Sequence, residues 1–360
     1  MKINIELLKK NIADGFIIKQ SHPILDLHIY NYSQKTQYEN HWDEITLMCR
    51  GLILDSEYNI IQRPFGKFFN LSEHDSEFKP DVPDLPFEVY DKMDGSLGIM
   101  YFDEMGTPFI ASRGSFTSEQ ALMGTEMLHK DYRHLWGILD RSKTYVFEII
   151  YPENRIVLDY GDKTALVLLG IIDIETGTDI SLDTVSSKDF HIVEKYDGVK
   201  DFDKMKALEL DNKEGFVIKY SNGFRMKIKF DEYCRLHRII TNITSYDIWE
   251  CLRNNTGFDE LLDKVPDEFY DWVKETKKTI ENDFYKIKVD YMQLHLEVGY
   301  KIKDTKEFAE WAKKYKHSNI LFQMNKKQIN HDKIDDYVWK LVKPKYEKPF
   351  SVNKNAEKSK

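Results

Sequence analysis

From about residue 45 to residue 230, short β-branched and aromatic runs alternate with turn-forming residues, which is the texture of strands. GLILD (51–55), PFEVYDKMDG (86–95), LGIMYF (97–102), PFIASRG (108–114), TYVFEIIY (144–151), ALVLLGIID (165–173) and GFVIKYSNGFRMKIKF (215–230) each predict a strand or a hairpin. Ser221-Asn222-Gly223 separates two alternating runs and reads as a hairpin turn. One helix interrupts this region. It is expected to start near Thr117, with Ser118 and Glu119 as start signals, and to run toward Leu139. After about residue 231 the period lengthens. Apolar residues recur at three-to-four spacing through FYDWVKETKKTIENDFYKIKVDYMQLHL (269–296), which predicts helices.

The pattern gives an α+β chain of two domains: a sheet-rich domain over 1–240 and an all-α C-terminal domain over 241–345. The basic remainder, 346–360, is expected to be disordered, because it has too few apolar residues to bury. No apolar run approaches the roughly 20 residues of a membrane span, and the first residues lack the long apolar stretch of a signal peptide. Three cysteines without a CxxC pair argue against a disulfide framework or a cysteine zinc site and fit a reducing, cytoplasmic setting.

Charge changes this picture in one place. The net charge of -9 does not suggest a polyanion ligand. Yet residues 301–360 hold 16 lysines, no arginine and 8 acidic residues, so this segment is positive and the remainder strongly negative. Such asymmetry fits a polyanion-facing region, although a Lys-rich helical face is also ordinary solvated surface.

The candidate chemistry centres on Lys92-Met93-Asp94-Gly95. A lysine with an ordinary pKa near 10.4 becomes a nucleophile only where nearby cations or a metal favour the neutral amine. Gly95 is expected to let the backbone turn tightly and a phosphate approach. Alone, KxDG is weak and could be a surface turn. Further motifs follow in order. Glu148 sits on an apolar strand, where an unpaired carboxylate would be costly, and Glu214 opens another. Lys227 and Lys229 alternate with Met226 and Ile228, which puts both lysines on one strand face with an anion needed between them. Arg50, Lys67 and Arg113 form an upstream basic set. Each has a bland reading as a solvated face, a cap or a structural ion pair. Together they are the equipment of nucleotidyl transfer: a nucleophilic lysine, two acids for metal and ribose, and several cations for phosphates. Nothing in the spacing separates ATP from GTP.

These residues resemble the covalent nucleotidyltransferase superfamily of ligases and RNA capping enzymes, and within it the RNA ligase 1 family of T-even-type bacteriophages. The resemblance rests on YNYS (30–33), CRG (49–51), QRPFGKFFNL (62–71), KMDGS (92–96), SRGSFTSEQALM (112–123), FEIIYPENRIVLDY (147–160), EGFV (214–217) and KIKFDEY (227–233). It covers residues 28–235 and is thin in the helical remainder. It implies an antiparallel-sheet nucleotidyltransferase domain, an ATP-grasp-like ligase core, and ATP with Mg²⁺ or Mn²⁺ as cofactors. It makes Lys92 the adenylylated lysine. Tyr30, Arg50, Lys67, Phe69, Gly95, Arg113, Lys227 and Lys229 would contact ATP, and Glu148 and Glu214 would hold ribose and metal. Tyr233 would serve ligation at the RNA. Asp259 and Glu260 align with an acidic pair linked to metal. Arg113 stands where the family often has lysine, so its fork geometry differs. The implied partner is RNA, either tRNA or other single-stranded 5′-phosphate ends, joined by a monomer in a bacterial cytoplasm beside a separate end-healing kinase and phosphatase. A capping guanylyltransferase, another polynucleotide ligase and an inactive RNA-binding homologue are the competing classes.

Overall fold

A computed structural model describes residues 3–344, apart from 75–80, 155, 187–188, 199, 209, 211–212, 232, 235–242, 266–268, 327–328 and 330. The expected disordered tail therefore lies outside the described residues. The chain divides into two compact units, Met1–Ile240 and Thr241–Lys360.

The first unit opens with α1 (Ile5–Ala13), whose first turn is closed by the Asn4 side chain accepting from the Leu7 amide. β1 (Ile17–Ser21) and β2 (His28–Tyr32) follow, then α2 (Gln34–Glu39) and α3 (Glu44–Met48), the last started by an Asp43 capping box. β3 (Arg50–Leu54) and β4 (Ile60–Gln62) complete a four-stranded sheet in the order β1-β2-β3-β4. Leu8, Ile17, Tyr30, Ile45, Leu52 and Leu54 form the core between this sheet and its helices.

Next come β5 (Phe69–Asn70), β6 (Phe87–Asp91), β7 (Ser96–Phe102) and β8 (Pro108–Ser112). After α4 (Glu119–Asp131) the chain continues through β9 (Lys143–Ile150), β10 (Ala165–Asp173), β11 (Asp179–Ile180) and β12 (His191–Ile192). The short α5 (Phe202–Lys206) leads to the hairpin of β13 (Gly215–Tyr220) and β14 (Arg225–Lys229). The central sheet runs β11-β10-β9-β7-β8 with β12 beside β10, and the third sheet runs β5-β14-β13-β6. All pairings are antiparallel except those of two short strands, β12 with β10 and β5 with β14. Packing of α4 covers one face of the central sheet through Met127 and Leu128 against Ile110, Phe147 and Ile149.

Two expectations shift. The helix after Ser118 ends at Asp131 and is followed by a 3₁₀ turn, Arg133–Ile138. Tyr132 breaks it by leaving helical geometry to stack on Phe190 and reach the Leu166 carbonyl. The strand texture also begins earlier than residue 45. β1 was hidden because only its first residue is buried, so no alternation marks it.

The described residues of the second unit form α6 (Ser245–Asn254), α7 (Phe258–Lys264), α8 (Tyr270–Glu297), α9 (Thr305–Ala312), α10 (Ser318–Met324) and α11 (His331–Leu341), with one 3₁₀ turn. Phe284, Ile320, Met324, Ile334 and Val338 make its largest core, and the Trp249 indole donates to the Trp339 carbonyl at 2.9 Å. No helix among the described residues is long and apolar enough to cross a membrane.

Candidate active site

Lys92 follows directly on β6. Its backbone amide donates to the Gly215 carbonyl at 2.9 Å, which fixes the lysine against the start of β13. Its ammonium donates to Oε2 of Glu214 at 2.7 Å, and Lys229 Nζ lies 3.1 Å from Oε1 of the same carboxylate. Glu214 is 2% exposed, so one buried carboxylate bridges two lysines. Glu214 thus supplies an anion beside Lys229 of the expected lysine pair. Lys227 is itself buried. Gly215 makes this approach possible. At φ +150° a Cβ would stand 2.0 Å from the Ile228 carbonyl oxygen, so no other residue fits between β13 and β14 here.

Asp94 of the same motif is 4% exposed and fully engaged. Oδ2 accepts from the amides of Val157 at 2.9 Å and Leu158 at 2.8 Å, and Oδ1 accepts from the Tyr233 hydroxyl at 2.8 Å. The Asp94 backbone amide donates to the Tyr160 hydroxyl at 3.0 Å, which ties this turn to the segment before β10. Tyr233 is thus buried, with its hydroxyl on Asp94. Gly95 is closely packed as well. Its amide donates to Oε1 of Glu148 at 3.0 Å, and a Cβ would press against the Ile149 carbonyl at 2.7 Å. Close packing, rather than a positive φ, demands glycine there.

Glu148 projects from β9. Burial pushes its carboxyl up to about 7, opposed by Lys92, reinforced by Glu214 and opposed again by Arg50 and the Gly95 amide. These mutual influences place Lys92, Glu148, Glu214 and Arg50 in one electrostatic neighbourhood.

Arg50 and Arg113 come from the other side. A bulge between β2 and β3 sets Tyr30 opposite Leu52 but Asn31 opposite Arg50, with Gly51 at φ +92° as the extra residue. That irregularity aims Arg50 at Tyr32, to which it hydrogen-bonds. Arg113 Nη1 donates to the Tyr32 hydroxyl at 3.4 Å. Nη1 of Arg50 is buried with no hydrogen-bond partner. Burial and the neighbouring Arg113 disfavour its charge, while Tyr32 and Glu148 favour it. Lys67 lies 5.3 Å from the ring centres of Tyr32, Trp42 and Phe69 and donates to Gln37 Oε1 at 2.8 Å. Tyr30, expected as the aromatic nucleotide contact, is wholly buried in the core of the first sheet, with its hydroxyl unpartnered. Tyr32 is approached by Arg50, Arg113 and Lys67 alike.

A cavity of about 410 Å³ adjoins Lys92, walled by Met93, Tyr160, Val167, Phe190, Ile192 and Val193 among others. Val167 pairs with both Glu148 and His191, so all three side chains stand on the same sheet face. Tyr32, Asp94 and Tyr160 were not singled out by sequence reasoning, though each lies within a quoted motif. Asp259 and Glu260 sit in the first turn of α7 in the second unit. Among the described residues no group of three or more His, Cys, Asp or Glu side chains converges to hold a metal.

The first unit thus brings a buried lysine–carboxylate cluster, a second buried acid and a basic set from three sheets into one neighbourhood. A family model described as RNA ligase matches residues 48–233, and the chain belongs to this family, of the T-even phage RNA ligase 1 type. It is 22% identical to an RNA ligase of Rhodothermus phage RM378, over 87% of this chain and 85% of that one. It is 26% identical to a protein of Thermovibrio ammonificans provisionally named an RNA ligase, over 78% and 77%. Among solved structures, a mutant Naegleria gruberi RNA ligase with ATP and Mn matches at 18% identity and a TM-score of 0.36, over 42% of this chain and 51% of that one.

Proposed function

We propose that this chain is an ATP-dependent RNA ligase that carries AMP on Lys92 and joins RNA 5′-phosphate and 3′-hydroxyl ends. The carrying observation is the convergence of Lys92, Glu148, Glu214 and Lys229 at the junction of the central and third sheets, 2.7 and 3.1 Å separating the two lysines from one carboxylate. The fold reading that goes with it is a nucleotidyltransferase core followed by an all-helical domain.

The Lys92 amine attacks the α-phosphate, forming a P–N bond as pyrophosphate leaves. Glu214, in contact with Nζ, is placed to receive the proton that the amine must lose. The RNA 5′-phosphate then attacks the phosphoramidate and Lys92 leaves. Finally a 3′-hydroxyl attacks the adenylylated end and AMP leaves. Lys227 and Lys229 stabilise charge developing on phosphate oxygens. The buried, unpartnered Nη1 of Arg50 suits an anionic oxygen, with Arg113 beside it. The apolar walls of the cavity beside Lys92 suit a purine ring.

The donor set also fits a divalent cation. Mg²⁺ or Mn²⁺ is commonly held by one or two carboxylates together with substrate phosphates, and Glu148 and Glu214 are two such carboxylates, the Glu148 pKa being raised by burial first and by Glu214 next. When bound there, the cation supplies neutralisation of phosphate charge.

Incubation with α-labelled ATP followed by denaturing electrophoresis tests the reading. Labelling should need Lys92, fail with GTP and be chased by 5′-phosphorylated RNA. Labelling retained by Lys92→Ala sinks the assignment. Repair of broken tRNA, in a bacterial cytoplasm and with end healing by a separate enzyme, is the finer proposal, supported by the lysine-rich 301–360 segment. Faster sealing of an anticodon-nicked tRNA than of an unstructured RNA checks it.

A further inference from the structure

Arg63 is the anomaly of the first unit. It is 9% exposed, and its Nε and Nη2 are buried without a hydrogen-bond partner. No carboxylate of the described residues pairs with it. Asp173 favours its charge from a distance, but Asp173 is already bound to Lys143 at 2.5 Å. Burial of an unpaired guanidinium is costly, and arginine cannot escape by losing its proton. The unpartnered edge, Nε with Nη2, is the fork that takes two oxygens of a phosphate side by side.

Two cavities, of about 850 and 800 Å³, both reach this residue. The second lies between the turn joining β10 to β11 and the turn of the β13–β14 hairpin, with Thr176, Thr178, Ser221 and Asn222 on its walls. Its other basic groups are committed. Arg225 forms a two-pronged bond with Asp179 and stacks 4.1 Å over the Phe65 ring, and Lys219 lies 3.8 Å from Glu88. Gly177, at φ +74°, leaves space that a Cβ would take, at 2.7 Å from Arg63 Nη1. The cavity is roomy and open to solvent, with polar groups on its walls, and a side chain at Gly177 would obstruct it.

We infer that Arg63 anchors a second phosphate-binding subsite, apart from the Lys92 cavity, at the waist between these two cavities. Its occupant is a single phosphate group, either of the RNA strand or free in solution. Only the first source rests on the RNA-ligase reading.

The full-length protein and its R63L variant are compared in two arms. In the first, inorganic phosphate is titrated at constant ionic strength while the melting temperature is followed. Phosphate is expected to raise it in the parent and not in R63L. In the second, binding of a single-stranded RNA with a 5′-hydroxyl and a blocked 3′ end is measured against salt. If the phosphate is the RNA's, R63L binds more weakly, and the slope of log K against log salt falls by about 0.7, the value for one phosphate on a single strand. A lost phosphate shift with an unchanged slope assigns the subsite to free phosphate. An unchanged shift and slope in folded R63L overturns the inference. R63K keeps the charge and loses the fork. It serves if R63L does not fold, and an undiminished phosphate shift in it overturns the inference equally. Labelling of Lys92 from ATP is read in parallel. Its absence in the parent would remove the ligase reading and leave the phosphate arm standing.

Discussion

The Tyr233 hydroxyl donates to Oδ1 of Asp94 at 2.8 Å, tying the segment beyond β14 to the motif that carries Lys92. Asp94 is buried, so its carboxylate depends on Tyr233 and on the Val157 and Leu158 amides in place of water. Tyr233→Phe is expected to cost about 1.5–3 kcal/mol, as for a hydrogen bond to a charged group. Combined with Asp94→Asn, its effect should be much less than additive. Urea unfolding of the two single variants and the double variant measures the coupling. Additive losses would show that the two side chains act apart.

Glu148 makes stability depend on pH. Its folded pKa, about 7, lies above the ordinary carboxylate value, so the folded state holds the proton more tightly than the unfolded chain does. The protein therefore loses stability from this group as pH climbs from about 4.5 through 7. Glu148→Gln is expected to be more stable than the parent at pH 8, by about 1–3 kcal/mol. The gain should shrink on acidification through pH 7 and vanish below about 4.5. Added Mg²⁺ should narrow it at pH 8. Melting curves of both proteins across pH, with and without Mg²⁺, decide this, and a gain that grows toward low pH would refute it.

Tyr30 and Tyr32 give a paired test of which aromatic serves the cationic set. The Tyr30 hydroxyl is buried and unpartnered, so Tyr30→Phe removes a desolvated polar group and is expected to leave stability equal or raised by up to about 1 kcal/mol. Labelling of Lys92 by ATP should be unchanged. Tyr32→Phe removes the acceptor of Arg113 and the partner of Arg50, and labelling should fall about tenfold or more, the effect of about 1.4 kcal/mol. The reverse ranking would restore Tyr30 to the site.

Gly215→Ala should be among the most damaging small substitutions in the first unit. The added carbon meets backbone at 2.0 Å where the chain cannot give way, and a loss of roughly 2–4 kcal/mol is expected. Gly161 has a positive φ with open space around it, so Gly161→Ala should cost about 1 kcal/mol. Chemical denaturation of the two variants compares steric and conformational cost directly.

Much of this was legible along the chain. The longer strands between Gly51 and Phe230 announced themselves because β-branched runs and turn residues alternate cleanly, whereas the two- and three-residue strands β4, β5, β11 and β12 are too short to show a pattern, and the change to helical spacing after residue 231 is plain. Lys92 could be singled out by its KxDG motif, and Glu148 and Glu214 because a carboxylate on an apolar strand needs a reason. What stayed hidden depended on contacts between distant segments. Nothing local reveals that Tyr233 serves Asp94, 139 positions earlier, or that a one-residue bulge at Gly51 sets Arg50 beside Tyr32. Sequence likewise gave Gly95 a conformational role, when the demand comes from the Ile149 carbonyl across the sheet.

Glu214 holds Lys92 and Lys229 through the two oxygens of one side chain. The two lysines are thus leashed to the same post, and anything that draws this carboxylate aside loosens both at once.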